Sequence, residues 1–213
     1  MVDGSSFKSR IDYKERKNMA NHCYNEFTVK CSNSVEAQKV LATLNNMYSK
    51  DILYIDDCMK QAGMRVPKNM DYRDHICAEA TQNNDDATVI YFTTESAWSP
   101  RPNSWKHLIQ RISPTAKIYF YAEEPGQGIF QTNNPEYMDK YYVDILLDKE
   151  VEGVEEGTNI CSKEKVISIL QKLLCTSNDD IEDLLTLAEE TDWGENIVYI
   201  YPIDSFDFMD YDY

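Results

Sequence analysis

The spacing of apolar side chains predicts a strand and then a helix near the start of the patterned sequence. Residues 26–31 alternate polar and apolar positions and are rich in residues that favour strands. Asn33 and Glu36 then have the spacing of a capping box. The apolar residues that follow at helical spacing are Ala37, Val40, Leu41, Leu44 and Met47. We therefore expect a strand followed by a capped helix.

Further elements are predicted as far as residue 147. A short helix over residues 52–62 would end at Gly63, and the polar residues 65–86 are expected to form an inserted loop. Strands are predicted at 87–94, 117–122, 129–130 and 141–147. An amphipathic helix is predicted between the strands at 87–94 and 117–122. We expect Asn103 to cap it and Pro114 to end it. Its apolar face consists of Trp105, Leu108, Ile109 and Ile112.

The remaining residues differ from the first part in their pattern. Residues 153–158 are acidic and are predicted to form a linker. Two amphipathic helices should follow, and a last strand is predicted at 197–201. Their apolar positions are Val166, Ile167, Leu170, Leu173 and Leu174 in the first helix, and Ile181, Leu184, Leu185 and Ala188 in the second.

The order of these elements predicts an α+β fold. Through residue 122 they run strand, helix, uncertain piece, strand, helix, strand, which suits a ferredoxin-like antiparallel sheet with helices on one face. We expect this domain to span residues 19–148, with an acidic helical extension, a final strand and a tail over 149–213. The polar, aperiodic residues 1–18 are expected to be a disordered leader or a segment foreign to the natural protein.

Two groups of residues resemble the YubB-like family of plasmids, phages and other mobile elements. Residues 19–25 (MANHCYN) resemble its opening M-x-N-W-C-x-N. The second group resembles its W-S-P-P…W…P…E-x-G signature, with Phe130 where that pattern has an aromatic. This group comprises Trp98, Ser99, Pro100, Pro102, Trp105, Pro114, Glu124 and Gly126. His22 replaces the usual tryptophan, and one extra residue separates Pro100 from Pro102. The resemblance covers about residues 19–134 and implies a ferredoxin-like fold and a mobile-element origin, but no catalytic residue.

Charge is distributed very unevenly along the chain. Residues 136–213 contain 21 of the 37 acidic side chains and 5 of the 21 basic ones, whereas the first 135 residues contain 16 of each. The net charge of −16 therefore belongs to the C-terminal part. Such a region should repel phosphate backbones and anionic membranes. The expected partner is therefore a basic protein, for example one that binds nucleic acid.

Cysteine and histidine give no favoured site for catalysis or for a metal. The six cysteines form no C-x-x-C pair, and no secretion signal or membrane-length apolar run is present. We therefore expect free thiols in a cytoplasmic protein without cofactor or metal. Cys23 with His107 as a catalytic pair, and His22-Cys23 with His75 and Cys77 as a zinc site, are the less favoured interpretations. Adjacent Glu123 and Glu124 would point to opposite sheet faces and are poorly placed for acid–base catalysis.

The C-terminal segment alternates acidic and aromatic residues. Carboxylates can take the place of phosphates and rings that of stacked bases, so this segment could imitate nucleic acid or dock as a short linear motif. The alternative is a strand at the edge of the sheet followed by a solvated tail. The expected partner-binding residues are Asp179, Asp180, Glu182, Asp183, Glu189, Glu190, Asp192, Asp204, Phe206, Asp207, Phe208, Asp210, Tyr211, Asp212 and Tyr213.

The sequence thus predicts a non-enzymatic interaction module of a phage or mobile element. Its acidic region would occupy a basic surface, as a nucleic-acid mimic that inhibits a host or defence protein. One alternative is a small-molecule binder or enzyme with a pocket near Trp98, Trp105 and Glu124. Another is a structural protein whose acidity serves solubility alone.

Overall fold

The computed structural model describes residues 22–52, 54–67 and 74–209, and it is a mixed α/β structure with mostly antiparallel sheets. Its helices are α1 (Ser34–Ser49), α2 (Ile55–Gln61), α3 (Pro102–Ile112), α4 (Lys163–Leu173) and α5 (Ile181–Glu190). Its strands are β1 (His22–Lys30), β2 (Asp74–Ile76), β3 (Thr81–Gln82), β4 (Val89–Ala97), β5 (Lys117–Glu124), β6 (Ile129–Thr132), β7 (Lys140–Leu146), β8 (Gly157–Ser162), β9 (Ile197–Pro202) and β10 (Asp204–Ser205). The predicted α+β class is confirmed.

The larger sheet has the order β10-β6-β5-β1-β4-β2, with β3 also paired to β4. Strand β1 lies at its centre and is antiparallel to both neighbours, so that Phe27 is opposite Phe92 on β4 and Phe120 on β5. Strand β10 pairs with β6 in the parallel direction. Together with α1, α2 and α3, strands β1–β6 form what we call the first unit, residues 22–132.

Alternate residues of the central strands bury an aromatic cluster beneath the helices of the first unit. The rings of Phe27 and Phe92 stack with centroids 4.7 Å apart. The fully buried Trp105 of α3 lies 5.1 Å from Phe92 and 6.0 Å from Phe27. Burial of each such side chain contributes roughly 1.5–3 kcal/mol, so this cluster is a major source of stability.

The smaller sheet has the order β8-β7-β9 and, with α4 and α5, forms the second unit, residues 140–202. Val143 and Ile145 of β7 pack against Val166 and Leu170 of α4 and Leu184 of α5. Strand β7 therefore belongs to the smaller sheet, although the sequence grouped it with the first domain.

The two units meet through aromatic rings. Phe130 of β6 is stacked on Tyr142 of β7 at 4.2 Å and on Tyr201 of β9 at 5.2 Å. Tyr121 and Ile203 are buried in the same contact. Because these side chains, apart from the half-buried Tyr201, are almost completely shielded from solvent, we expect the units to move together.

Several sequence expectations about elements are borne out and others are wrong. Asn33 caps α1, with its Oδ1 accepting from the Glu36 amide at 3.0 Å. Asn103 does not cap α3, because that helix begins at Pro102. Residues 65–86 are not a simple loop but contain β2 and β3, and the predicted linker 153–158 runs into β8. Strands β3 and β8 were missed because they are polar and at most half-buried, so they lack an apolar alternation, and β2 was missed because it has only three residues. The predicted leader, residues 1–18, lies outside the described residues.

No helix of the described residues has the length and apolar character that would span a lipid bilayer.

We predict that Asn33→Ala destabilises the protein by about 1 kcal/mol, because the Glu36 amide loses its acceptor at the start of α1. Asn33→Asp should keep the cap and leave the free energy of unfolding nearly unchanged. Urea denaturation followed by circular dichroism would measure both variants, and equal losses from the two substitutions would contradict a capping role.

Candidate functional site

The start of α5 arranges a group of carboxylates on the surface of the second unit. Asp180 caps this helix, with its Oδ1 accepting from the amides of Glu182 at 2.9 Å and Asp183 at 3.2 Å. Ile181 and Leu184 are buried against α4, which leaves Glu182 and Asp183 facing solvent. The helix dipole is positive at this end and stabilises the negative charges there.

The rest of the second unit is acidic over much of its surface. Among the described residues from 136 to 209, every acidic side chain is exposed except Asp144, which is half-buried. The expected partner-binding residues of this set are Asp179, Asp180, Glu182, Asp183, Glu189, Glu190, Asp192, Asp204 and Asp207. An ion pair joins Glu155 to Lys165 at 3.4 Å, but no described basic group pairs with the carboxylates of α5. The negative field of this surface is therefore largely uncompensated.

The tail, residues 203–209, is placed differently from the sequence expectation. Phe206 and Phe208 are half-buried against Phe120 in the core of the first unit. Asp207 between them is exposed. These two rings therefore contact the chain itself, whereas the remaining expected tail residues, Asp210, Tyr211, Asp212 and Tyr213, lie outside the described residues.

Cysteines and histidines are not brought together into an evident reactive site. Burial raises the pKa of Cys23 to about 12, which keeps this thiol protonated at neutral pH. His22 faces the opposite side of β1, where its Nδ1 lies 3.5 Å from Glu95 Oε2. No group of three or more metal-binding side chains occurs in the part of the chain that the structure describes. Cys175 is exposed, whereas Cys31 and Cys58 are buried.

Trp98, Trp105 and Glu124, which the sequence suggested as the lining of one pocket, differ widely in their exposure to solvent. Trp105 is completely buried, Glu124 is 8% exposed and Trp98 is 58% exposed. Two clefts among the described residues have volumes of about 260 and 310 Å³, and the wall of neither contains any of these three residues. Trp105 is thus a core residue, while Trp98 lies on the surface with a left-handed φ of 72°.

A buried polar cluster lies beside Trp105, at one end of the central strands. Asn25 Nδ2 donates to Thr94 Oγ1 and to Ser96 Oγ, both at 3.1 Å, and Asp74 is paired with Ser96 across β2 and β4. All these polar side chains are essentially inaccessible to solvent. They share the sheet face of Phe27 and Phe92, so polar groups replace apolar ones at this end of the core.

Asp74 is the ionisable centre of this cluster. Its Oδ2 accepts from the Trp105 indole N–H at 2.7 Å, while its buried Oδ1 has no hydrogen-bond partner among the described residues. Burial raises the pKa of Asp74 to about 7, although the Thr94 hydroxyl, the indole and the positive charge of Arg101 favour the ionised form. The carboxyl is therefore readily protonated near neutral pH.

The sequence did not identify Asp74, because residues 65–86 were assigned to a loop. A signal was nevertheless present just before one predicted strand, 26–31, and at the end of another, 87–94. Asn25 precedes Phe27, and Thr94 follows Phe92, at the same two-residue period that defines the buried face. Polar residues at buried positions require hydrogen-bond partners, and this requirement predicts a polar cluster.

Comparison of the chain with models of protein families, with curated proteins and with solved structures gives no match.

We predict that Trp105→Phe costs roughly 1–3 kcal/mol of stability, because it leaves the buried Asp74 carboxyl without its indole donor. Trp98→Phe is the matched control and should change stability by less than about 0.5 kcal/mol, since Trp98 is exposed. Urea denaturation would measure both, and similar losses for the two variants would contradict the importance of this hydrogen bond.

We also predict a pH-dependent contribution of Asp74 to stability. Its pKa is about 7 in the folded protein and near 3.8 in the unfolded chain, so folding favours the protonated form. This contribution is fully present below the unfolded pKa and is lost as the pH rises through the folded pKa. Between about pH 5 and about pH 8 the stability of the wild type should fall relative to Asp74→Asn by on the order of 2 kcal/mol. A constant difference between the two proteins would show that Asp74 does not titrate in this range.

Proposed function

We propose that this protein is a non-enzymatic interaction module that binds a basic protein surface through the carboxylates of its second unit. The observation that carries the proposal is the exposed, largely unpaired set of acidic side chains on and around α5. Complementary charges of this kind steer association and select among partners. The buried residues of the second unit hold the carboxylates on a rigid frame, which reduces the entropic cost of binding.

The carboxylates of α5 suit a partner that itself binds nucleic acid. Glu182 and Asp183 lie in the first turn of the helix, and Glu189 and Glu190 lie in its last turn. At 1.5 Å per residue these pairs are about 10 Å apart along the helix axis, which is within the span of several phosphates of a duplex. A protein with a basic channel for nucleic acid could therefore accept this helix as a competitor.

The mobile-element context is also part of the proposal. It is supported by the resemblance of residues 19–134 to the YubB-like family. The order β5-β1-β4-β2, with α1 and α3 against one face, supports a ferredoxin-like arrangement of the first unit. On this proposal, the first unit is the scaffold and the second unit is the acidic extension that inhibits a host or defence protein.

A second candidate function is ligand binding or catalysis at the polar cluster around Asp74. The observation that favours it is a buried carboxyl with a raised pKa, since such groups are frequent in functional sites. The cluster is closed to solvent, and Ser96 Oγ donates to the Ser99 carbonyl at 2.9 Å, so a ligand would have to displace residues of the segment that follows β4. We therefore rank this function below the interaction module.

To test the proposed function, the immobilised full-length chain would be used to capture proteins from nuclease-treated bacterial lysate. A captured partner would then be purified and titrated against the chain at increasing salt concentrations. We expect an affinity that falls steeply with salt and a partner that is displaced by duplex DNA. The variant Glu182→Gln, Asp183→Asn, Glu189→Gln, Glu190→Gln should bind at least about tenfold more weakly.

The matched control removes the same number of charges from the first unit. Asp51→Asn, Asp57→Asn, Glu79→Gln and Asp85→Asn change exposed residues and alter the net charge by the same amount. This control should bind within about twofold of the wild type if the α5 surface is the binding site. Equal weakening by both variants, or no salt dependence, would rule the proposed surface out.

A further inference from the structure

The tail crosses from the second unit to the edge of the larger sheet, where its backbone is held by hydrogen bonds. Residues 204–205 form β10 and pair with Gln131 and Thr132 of β6. The Phe206 amide donates to the Thr132 carbonyl at 2.8 Å. Beyond this point the Met209 amide donates to Asn103 Oδ1 at 2.9 Å. The tail is therefore bound as an extended segment between β6 and α3.

Two aromatic side chains of the tail enter the first unit. Phe206 meets the ring of Phe120 edge-on at 5.2 Å, and Phe208 lies 6.1 Å from the same ring. The ammonium group of Lys106 is 5.2 Å from the centroid of Phe208. Because successive residues of an extended chain point in opposite directions, Asp207 faces solvent between the two rings.

The site continues beyond Phe208 as an open cleft of about 310 Å³. Lys106, Lys117, Gln110 and Tyr119 contribute to its wall. Both charged residues of this wall are lysines, so the cleft favours negative groups, unlike the surface of the second unit. Aromatic packing, strand pairing and positive charge are thus combined along one groove.

We infer that the groove formed by β6, α3 and Phe120 is a binding site for extended peptides in which one solvent-facing residue separates two aromatic side chains. The tail occupies it in cis and reveals its specificity. Each contact described above is non-covalent and is made by a short segment, so a partner segment of the same chemistry can make the same contacts in trans. This inference concerns the first unit and does not depend on the acidic surface of α5.

The tethered tail competes strongly with any such partner. A segment joined by a short connection has an effective concentration in the millimolar range, so it weakens the apparent affinity of an external peptide. The groove would bind a partner well only when the tail is released or when the partner is locally concentrated. The chain would thereby discriminate against weak or dilute ligands.

The test uses the full-length chain and a fluorescein-labelled peptide of residues 202–209. We expect the variant Phe206→Ala, Phe208→Ala to bind this peptide at least about tenfold more tightly than the wild type does, as measured by fluorescence anisotropy. The same peptide with both phenylalanines replaced by alanine should bind the variant at least about tenfold more weakly. Asp207→Ala in the full-length chain is the matched control and should behave as the wild type.

A second measurement on the wild type keeps the test independent of how well the variant folds. Excess unlabelled peptide should accelerate hydrogen exchange at the amides of Phe206 and Met209, because the displaced tail loses the Thr132 and Asn103 acceptors. The inference would be overturned if a folded variant bound the peptide no better than the wild type. It would also be overturned if the alanine peptide bound equally well, or if saturating peptide left exchange at both amides unchanged.

Discussion

The indole of Trp105 is the contact on which the first unit depends, because it joins three parts of the structure at once. Its ring packs on Phe27 and Phe92 of the two central strands, and its N–H reaches Asp74 on β2. One side chain thereby connects helix α3 with the middle of the larger sheet and with the short strand β2. Without the hydrogen bond, β2 would still pair with β4 and bury Ile76, but the buried Asp74 carboxyl would lose its indole donor. The aromatic packing and the polar cluster therefore depend on the same side chain, Trp105.

The sequence predicted the elements with a strong hydrophobic period and missed those held by tertiary contacts. Helix α1 was expected from its capping residue Asn33 and its apolar face, and both local signals agree with the structure. Strand β2 was missed because it has only three residues and begins with Asp74, a residue type that is depleted in strands. Propensity carries no information about a carboxyl that becomes buried only when an indole approaches it.

The candidate sites differ in the same way between features that local sequence predicts and features that tertiary contacts create. The exposed carboxylates of α5 were identified from charge and helical period, since both are local properties. The burial of Phe206 and Phe208 was not foreseen, because alternation of aromatic and acidic residues predicts a free motif and an edge strand equally well. The pairing of β10 with β6, which lies more than seventy residues earlier in the chain, shows that the start of this segment is an edge strand. The tail thus shows how a segment that looks available in sequence can be bound within the fold.

The distribution of thiols has a practical consequence for spectroscopy. Cys175 is exposed just after α4, close to the start of α5, whereas Cys23, Cys31 and Cys58 are buried and burial raises the pKa of each of them. Thiol reagents react with thiolates that they can reach, so a maleimide dye should label Cys175 in preference to these three. A fluorophore or spin label could therefore be attached beside the acidic helix of the natural sequence, without first replacing the cysteines of the core.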